Sequence, residues 1–435
     1  MKKVLVICYY WPPTGGAGVQ RWLKFIKYLR NYGWEPVIFT PENPESPEID
    51  LSLLKDIPEN LRIIKRPIWE PYSIYKQFIG KGRKEKIQAA FLSEKKRNWF
   101  TESVSVWIRG NFFIPDARKF WIRPSVKFLD RYLAENPVDL IISTGPPHSM
   151  HIIAEKISGC RSLPWIADFR DPWTNIDFYK DLRLTARADL IHHRMEMAVL
   201  KNASAVILIS RSMADDFNTL FQRHYDVITN GYDEEDIVAT GSFEADKKFS
   251  IAHIGTLVQT RNPVSLWKAL NELLEENHPG LREDLSIRLV GRIDFSVLES
   301  IDQYGLSEFI DNIAYLPHAE VVKIQQQSQV LLLLINNTPN AKSILTGKFF
   351  EYLAAQRPIL CIGPPGGDAA AILSETNAGM ISDFTDVPSL KKNILYFYDL
   401  FKRGQLNSQS HSIEAYSRKV LTGKLSEVMN RVTGL

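Results

Sequence analysis

A few short stretches of this chain combine residue types and spacings suited to holding an anionic ligand. The first is Tyr10-Trp-Pro-Pro-Thr-Gly-Gly-Ala-Gly-Val-Gln-Arg21, a glycine-rich turn between an apolar run and a helical one. Glycines there let backbone amides approach an anion, and the positive end of a helix favours the charge. A tight structural turn would use the same glycines. A dinucleotide fingerprint competes as well, because Gly16-Ala-Gly18 begins like one and Glu42 follows at a suitable distance. Arg21, however, stands where its third Gly or Ala belongs, and Trp11–Thr14 delays the glycines.

The second stretch is Gly347-Lys348-Phe-Phe-Glu351-Tyr-Leu-Ala. Lys348 and Glu351 are three apart, hence on one helical face, while Phe349, Phe350 and Leu353 can turn to a sheet. A lysine neutralises a diphosphate, and a carboxylate accepts hydrogen bonds from two ribose hydroxyls. The competing reading is an ordinary helical ion pair worth about 0.2–0.5 kcal/mol. A P-loop is excluded, since Lys342 and Phe349 occupy its Gly and Ser/Thr positions. A third stretch, Gly255-Thr256-Leu257 through Arg261, offers a guanidinium fork for phosphate, against the default of a solvated loop arginine.

Two further segments follow apolar runs: Ser143-Thr-Gly-Pro-Pro-His148 and Ala167-Asp168-Phe-Arg170-Asp171-Pro-Trp173. They place an imidazole, carboxylates and a guanidinium near a ligand crevice, although such groups beside loops often serve structure alone. Metal chemistry finds no support. His148/His151 and His192-His193 lack a carboxylate pattern, and HExxH and Gly-x-Ser-x-Gly are absent. Cys8, Cys160 and Cys361 are far apart and form no CxxC, which points to a reducing, cytoplasmic setting.

The elements that would position these residues alternate. Lys3–Tyr9 reads as a strand, Val19–Asn31 as a helix stopped by Gly33, and Glu35–Thr40 as a second strand. Strand-like runs recur at Val138–Ser143, Pro164–Ala167, Ala203–Ile209 and Asp226–Thr229, with helical stretches between most of them. The pattern restarts at Phe249–Ile254, then continues through a helix over Pro263–Glu276 and runs at Ser286–Val290, Ile313–Leu316, Val330–Ile335 and Pro358–Ile362. Ser412–Val432 reads as one final amphipathic helix. Strand–helix alternation predicts parallel sheets covered on both faces. The expected organisation is an N-terminal Rossmann-like domain over 1–230, a second over 231–410, and a C-terminal helix over 411–435 packing back on the first. A cleft between two such units is the expected ligand site. Lys2-Lys3 before an apolar run resembles the start of a signal peptide, but Trp11-Pro12-Pro13 interrupts it. No run reaches the ~18–20 apolar residues of a membrane span.

The 435 residues carry a formal net charge of +3, which conceals a partition. Between Lys76 and Arg131 there are 14 Lys and Arg against 5 Asp and Glu, a local +9, so the remainder sums to −6. That basic insertion, about 69–131, also holds Trp69, Trp99, Trp107 and Trp121 with Phe78, Phe91, Phe100, Phe112, Phe113 and Phe120. Interleaved Lys81–Lys86 and Lys95-Lys96-Arg97 make it a candidate for peripheral contact with an anionic membrane. A solvated basic face over buried aromatics competes, and nucleic acid is not expected as a partner.

Taken together the chain resembles the retaining glycosyltransferases of family four. The resemblance spans almost the whole sequence. It rests on the opening strand with Gly15-Gly16-Ala-Gly18, on Thr229-Asn230-Gly231-Tyr-Asp233, on Gly255-Thr256-Leu257, on Val290-Gly291 and on Lys348-x-x-Glu351-Tyr-Leu-Ala. It implies an α/β fold of two doubly wound Rossmann-like domains facing across a cleft (GT-B). The implied activity is retaining transfer of a sugar from a nucleotide-diphosphate sugar to a glycan or lipid-linked acceptor. Glu351 would bind the ribose, Arg261 and Lys348 would contact the diphosphate, and His148 would approach the transferred sugar. Gly15, Gly16, Gly255, Thr256, Gly291 and Ser343 would complete the donor site, with Asp168, Arg170 and Asp171 as acceptor or cleft candidates. No metal or cofactor is implied, because basic groups and a helix N-terminus stabilise the leaving diphosphate. With the cysteine pattern and the basic aromatic insertion, the expected location is the cytoplasm, on the inner face of the cell membrane.

The sequence also departs from the family. Its frequent Glu-x7-Glu becomes Ser343-x7-Glu351, Gly-Arg-Leu becomes Gly255-Thr256-Leu257, and a later lysine becomes Arg261. A nucleotide-sugar 2-epimerase of the same fold, or a sugar-nucleotide-binding scaffold without catalysis, are the alternatives.

Overall fold

The computed structural model describes residues 1–46, 49–70, 99–238, 243–314, 316 and 318–434. They form an α/β protein with two parallel sheets. The first comprises β1 (Lys2–Ile7), β2 (Trp34–Pro41), β3 (Arg62–Arg66), β4 (Leu140–Gly145), β5 (Trp165–Phe169), β6 (Ala205–Leu208) and β7 (Asp226–Val227). The second comprises β8 (Phe249–Ile254), β9 (Leu285–Val290), β10 (Ile310–Ile313), β11 (Val330–Leu334), β12 (Ile359–Ile362) and β13 (Gly379–Ser382). Helices cover both faces, so central strands such as Val4–Ile7 and Val330–Leu334 are apolar and buried along their length.

Sheet order is β3-β2-β1-β4-β5-β6-β7 in the first sheet and β10-β9-β8-β11-β12-β13 in the second, and every neighbouring pair is parallel. Counted from its own first strand, each sheet has the doubly wound Rossmann order. The winding direction reverses at β1/β4 and at β8/β11. At those two switch points the loops leaving the carboxyl ends of adjacent strands diverge, which opens a crevice for a ligand.

The chain divides into two compact units, Met1–Thr229 with Arg418–Leu435, and Asn230–Ser417. Within the first, helix α1 (Ala17–Leu29) buries Val19, Trp22, Leu23, Ile26 and Leu29, the spacing of a single helical face. That face shares a core with Leu421, Leu425, Val428 and Met429 of the helix Arg418–Val432.

Several sequence boundaries move. The run Ile313–Leu316 is mostly loop, and β10 lies at Ile310–Ile313 instead. As an edge strand it pairs with β9 alone, so its central Asp311 and Asn312 stay exposed and Asp311 takes Arg288 of β9 at 3.1 Å. The C-terminal segment is a short turn of helix, Ile413–Tyr416, broken at extended Ser417 before Arg418–Val432. Among the described residues no helix is long and apolar enough to cross a membrane.

Candidate functional site

In the second unit the β8/β11 switch point gathers most of the donor-side residues expected from sequence. The helix Gly347–Ala354 follows the loop after β11 and is held by buried Phe349, Phe350, Tyr352 and Leu353. The Tyr352 hydroxyl accepts the Ile254 N–H at 3.0 Å, which ties this helix to the end of β8. Thr346 occupies the N-cap, but its hydroxyl makes no capping bond and is buried without a partner. No acidic residue lies in the first turn, so no side-chain charge there offsets the positive end of this helix.

Lys348 belongs to that first turn. A Cβ placed on Gly255 would fall 2.3 Å from Lys348 Nζ, so the ammonium rests against a bare backbone. Gly255 has φ +122°, a conformation that itself favours glycine. Gly291, at φ +119°, packs directly on Gly255: a Cβ there would lie 3.0 Å from the Gly255 carbonyl carbon. Thr256 follows Gly255 and leads into Leu257, which bridges to Ile293. Burial, and then the Arg261 guanidinium, push Lys348 down to about 8, against a smaller opposing pull from Glu351. The helical ion pair that competed in the sequence reading is not formed between Lys348 and Glu351. Glu351 instead accepts a hydrogen bond from Gln325 at 3.4 Å.

Arg261 leaves β8 in the adjoining loop and donates through Nε to the side-chain oxygen of Asn336, just beyond β11. Beneath these cations His253 turns Nδ1 to the Leu332 carbonyl at 3.1 Å, while Nε2 is buried without a partner. Burial, then Lys348, holds that imidazole down to about 3, so it is neutral at physiological pH. Two cations beside an uncapped helix and a glycine floor form a cradle for a dianion such as a diphosphate. Ser343 is set apart chemically, since its buried hydroxyl donates to the Asn340 carbonyl at 2.9 Å within one turn.

In the first unit the β1/β4 switch point borders a cavity of about 450 Å³. Gly15, Gly18, His148 and Arg170 line it. Gly16 starts α1 at φ +98°, another position suited to glycine. His148 is buried and stacks on Trp173 with ring centroids 4.4 Å apart. Burial, then the neighbouring His151 and Arg170, holds its pKa well below the usual range, so it is a neutral imidazole.

The Asp168-Phe-Arg170-Asp171 group divides between the core and the cavity edge. Arg170 reaches the cavity, and burial pushes the neighbouring Asp171 carboxyl up against a smaller opposing pull from Arg170. Asp168 is wholly buried and occupied: Arg21 Nη2 lies at 2.8 Å, Trp22 Nε1 at 2.7 Å and the Thr144 hydroxyl at 2.9 Å. Arg21 also donates to the Thr229 and Ile228 carbonyls. The residue that spoiled the dinucleotide fingerprint is thus a core tether for the end of this unit's chain.

Asn336, Thr346, His253 and Arg109 of the unit-one cavity escaped the sequence reading. The first was within reach, because it directly follows a strand at a switch point. Of the basic aromatic insertion, Phe78, Lys81–Lys86, Phe91 and Lys95-Lys96-Arg97 lie outside the described residues, as do the side chains of Trp99 and Phe100. Among the others, Trp69, Trp107, Phe112 and Phe120 are exposed. Trp121 is not a surface residue: it is buried in the core and stacks on Phe39 at 4.9 Å.

Neither protein-family profiles nor curated protein sequences give a match to this chain. Solved structures do. A glycosyltransferase from Rickettsia africae is similar with a TM-score of 0.61 at 12% identity, covering 99% of this chain and 98% of its own. A UDP-N-acetylglucosamine 2-epimerase from Listeria monocytogenes, so described provisionally, gives 0.54 at 10% identity over 98% and 95%. TarM from S. aureus, solved with UDP, gives 0.55 at 11% identity over 99% and 100%. At such identities the likeness establishes the fold, the two-Rossmann GT-B arrangement of parallel sheets.

Proposed function

We propose that this chain is a retaining glycosyltransferase that uses a nucleotide-diphosphate sugar and delivers the sugar to a glycan or lipid-linked acceptor. The observation that carries the reading is the Lys348 ammonium. It is largely buried, lies against Gly255 at an uncapped helix N-terminus, and among the described residues its charged neighbours are another cation, Arg261, and the hydrogen-bonded Glu351. An arrangement that is costly when empty is relieved by a bound diphosphate. During transfer the same groups stabilise the diphosphate as it leaves, doing electrostatically what a metal does elsewhere. In this reading Glu351, one helical turn further on, accepts the ribose hydroxyls. In unit one, neutral His148 is the candidate partner of the transferred sugar.

Thermal-shift screening with UDP-, GDP- and dTDP-sugars tests the donor class, since a ligand bound to the folded state alone raises the melting temperature. One nucleotide series should stabilise the protein, and Glu351→Ala should weaken its binding about tenfold or more. Unchanged affinity in that variant would remove Glu351 from the site. The epimerase reading is favoured by the similarity to the Listeria epimerase structure and by nothing in the described side chains. Incubation with the stabilising donor separates the two, because slow release of nucleotide diphosphate marks a transferase and an epimerised, intact donor marks the alternative.

The reading extends to peripheral attachment at the inner face of the cell membrane through the aromatic, basic part of unit one. Exposed Trp69, Trp107, Phe112 and Phe120 support it. The protein should cosediment with anionic vesicles at low salt and detach as salt rises; absence of binding at low salt would end the membrane assignment.

A further inference from the structure

The cavity of unit one concentrates positive charge: Arg109, Arg118 and Arg170 line it against one lining carboxylate, Asp116, which accepts from the Ser149 amide and hydroxyl. Helix α1 begins at Gly16 with no capping side chain and no acidic residue in its first turn, so its N-terminus carries a fractional positive charge. Onto this end the protein places a full one. A Cβ on Gly18 would fall 1.9 Å from Arg170 Nη1, so the guanidinium lies over the first turn of the helix. Arg170 Nη2 donates to the Pro146 carbonyl, and Nε is buried without a hydrogen-bond partner among the described residues. Of the two carboxylates beside it in sequence, Asp168 is already committed to Arg21, and Asp171 interacts with the guanidinium without an ion pair within 4 Å among the described residues.

Arg109 adds a second guanidinium to the same cavity, with no ion pair among the described residues. Arg118 behaves differently, since Glu70 neutralises it at 3.0 Å. His148, 8% exposed, contributes a neutral ring whose buried Nδ1 has no hydrogen-bond partner among the described residues. The remaining walls are largely aromatic, with Tyr10, Phe113, Trp173 and Phe178 among them. Phe178 is also half-exposed, and Arg109 lies two residues from exposed Trp107, which packs on Phe112 at 5.7 Å. Anion-seeking groups therefore meet apolar walls in the cavity, with bare aromatic side chains nearby.

We infer that this cavity binds the phosphate end of an amphiphilic lipid phosphate, with Arg109, Arg170 and the α1 N-terminus holding the phosphate and the aromatic walls taking the first carbons of the chain. The inference rests on the transferase reading, for which it names the acceptor class. A phosphate accepts a fork from each guanidinium and is favoured at the positive end of α1, while a neutral lipid gains neither.

The test is calorimetric titration of the full chain with geranyl phosphate, geraniol and inorganic phosphate. Geranyl phosphate should bind, with geraniol and inorganic phosphate each weaker by about tenfold or more. Arg109→Gln, an exposed position that leaves the core intact, and Arg170→Gln should each lower geranyl phosphate affinity by about tenfold. Lys348→Ala should leave it within about twofold, because that lysine belongs to the nucleotide cradle of unit two. Equal binding of geraniol would reduce the cavity to a greasy surface, and equal binding of inorganic phosphate would reduce it to a nonspecific anion site. Loss of binding in Lys348→Ala, its persistence in both arginine variants, or no binding to the wild type would each overturn the assignment. Nucleotide binding is read separately, so failure of the donor reading and failure of this one are distinguishable.

Discussion

Replacing Lys348 with Met should make the ligand-free protein more stable and at the same time abolish tight binding of nucleotide diphosphate. Both effects have one cause. The wild-type ammonium is pushed from 10.5 to about 8, first by burial and then by Arg261, so folding disfavours its charged form. Below pH 8 both folded and unfolded chains hold the proton, and the folded state bears the whole cost. Between pH 8 and 10.5 the unfolded chain binds more protons than the folded one, so wild-type stability gains from this group as pH rises. The Met variant lacks that gain. Its advantage should therefore be largest at neutral pH, roughly 2–3 kcal/mol, and shrink toward pH 10.5. Urea denaturation of both proteins at pH 7 and pH 10 measures it. Diphosphate affinity of the wild type should fall as pH rises through 8 and the ammonium is lost, whereas the variant should bind about a hundredfold more weakly at pH 7. A Met variant that is less stable at pH 7, or that keeps its nucleotide affinity, would mean that Lys348 is a structural residue.

The fold was legible because its signals are repetitive. Buried parallel strands such as Val4–Ile7 and Val330–Leu334 read as short apolar runs, and each was followed by turn and helix signals. Edge strands were hard to see for the complementary reason. β3, Arg62-Ile-Ile-Lys-Arg66, and β13, Gly379-Met-Ile-Ser382, each have one strand neighbour and a mixed composition, and neither was recognised. Most of the donor-side residues were found because they follow a strand at a switch point, a place that sequence can locate once strand order is assumed. Their states were not. Whether Lys348 pairs with Glu351 or faces Gly255 depends on a rotamer, and whether Asp168 faces a cavity or the core depends on what Arg21 does a long way off in sequence. Trp121 illustrates the same limit: on a helix of alternating basic and aromatic residues, only the packing against Phe39 separates a core residue from the exposed Phe120 next to it.

Asp168→Asn should unfold or severely destabilise the protein, by about 3–5 kcal/mol, because it strands the buried Arg21 guanidinium without a counter-charge. The aspartate is fully buried, and burial alone would raise its pKa. The Arg21 ion pair and the hydrogen bonds from Trp22 and Thr144 outweigh that and hold it below the usual carboxylate range. Its contribution is therefore complete at neutral pH and is lost only as pH falls through that depressed value, so the deficit of the Asn variant should narrow in acid. A residue serving the acceptor would behave differently: the Asn variant would keep its urea midpoint and lose turnover alone. A double substitution sharpens the distinction. Arg21→Met with Asp168→Leu removes both charges together and should recover much of the loss, since a buried ion pair exchanged for apolar side chains is often close to neutral. Recovery should stop short of wild type by about 1–3 kcal/mol, because Trp22 Nε1 and the Thr144 hydroxyl, 2.7 and 2.9 Å from the carboxylate, would be left buried with no acceptor. A double variant as unstable as Asp168→Asn would place the energy in those two hydrogen bonds and in the Arg21 contacts to the Ile228 and Thr229 carbonyls rather than in the ion pair.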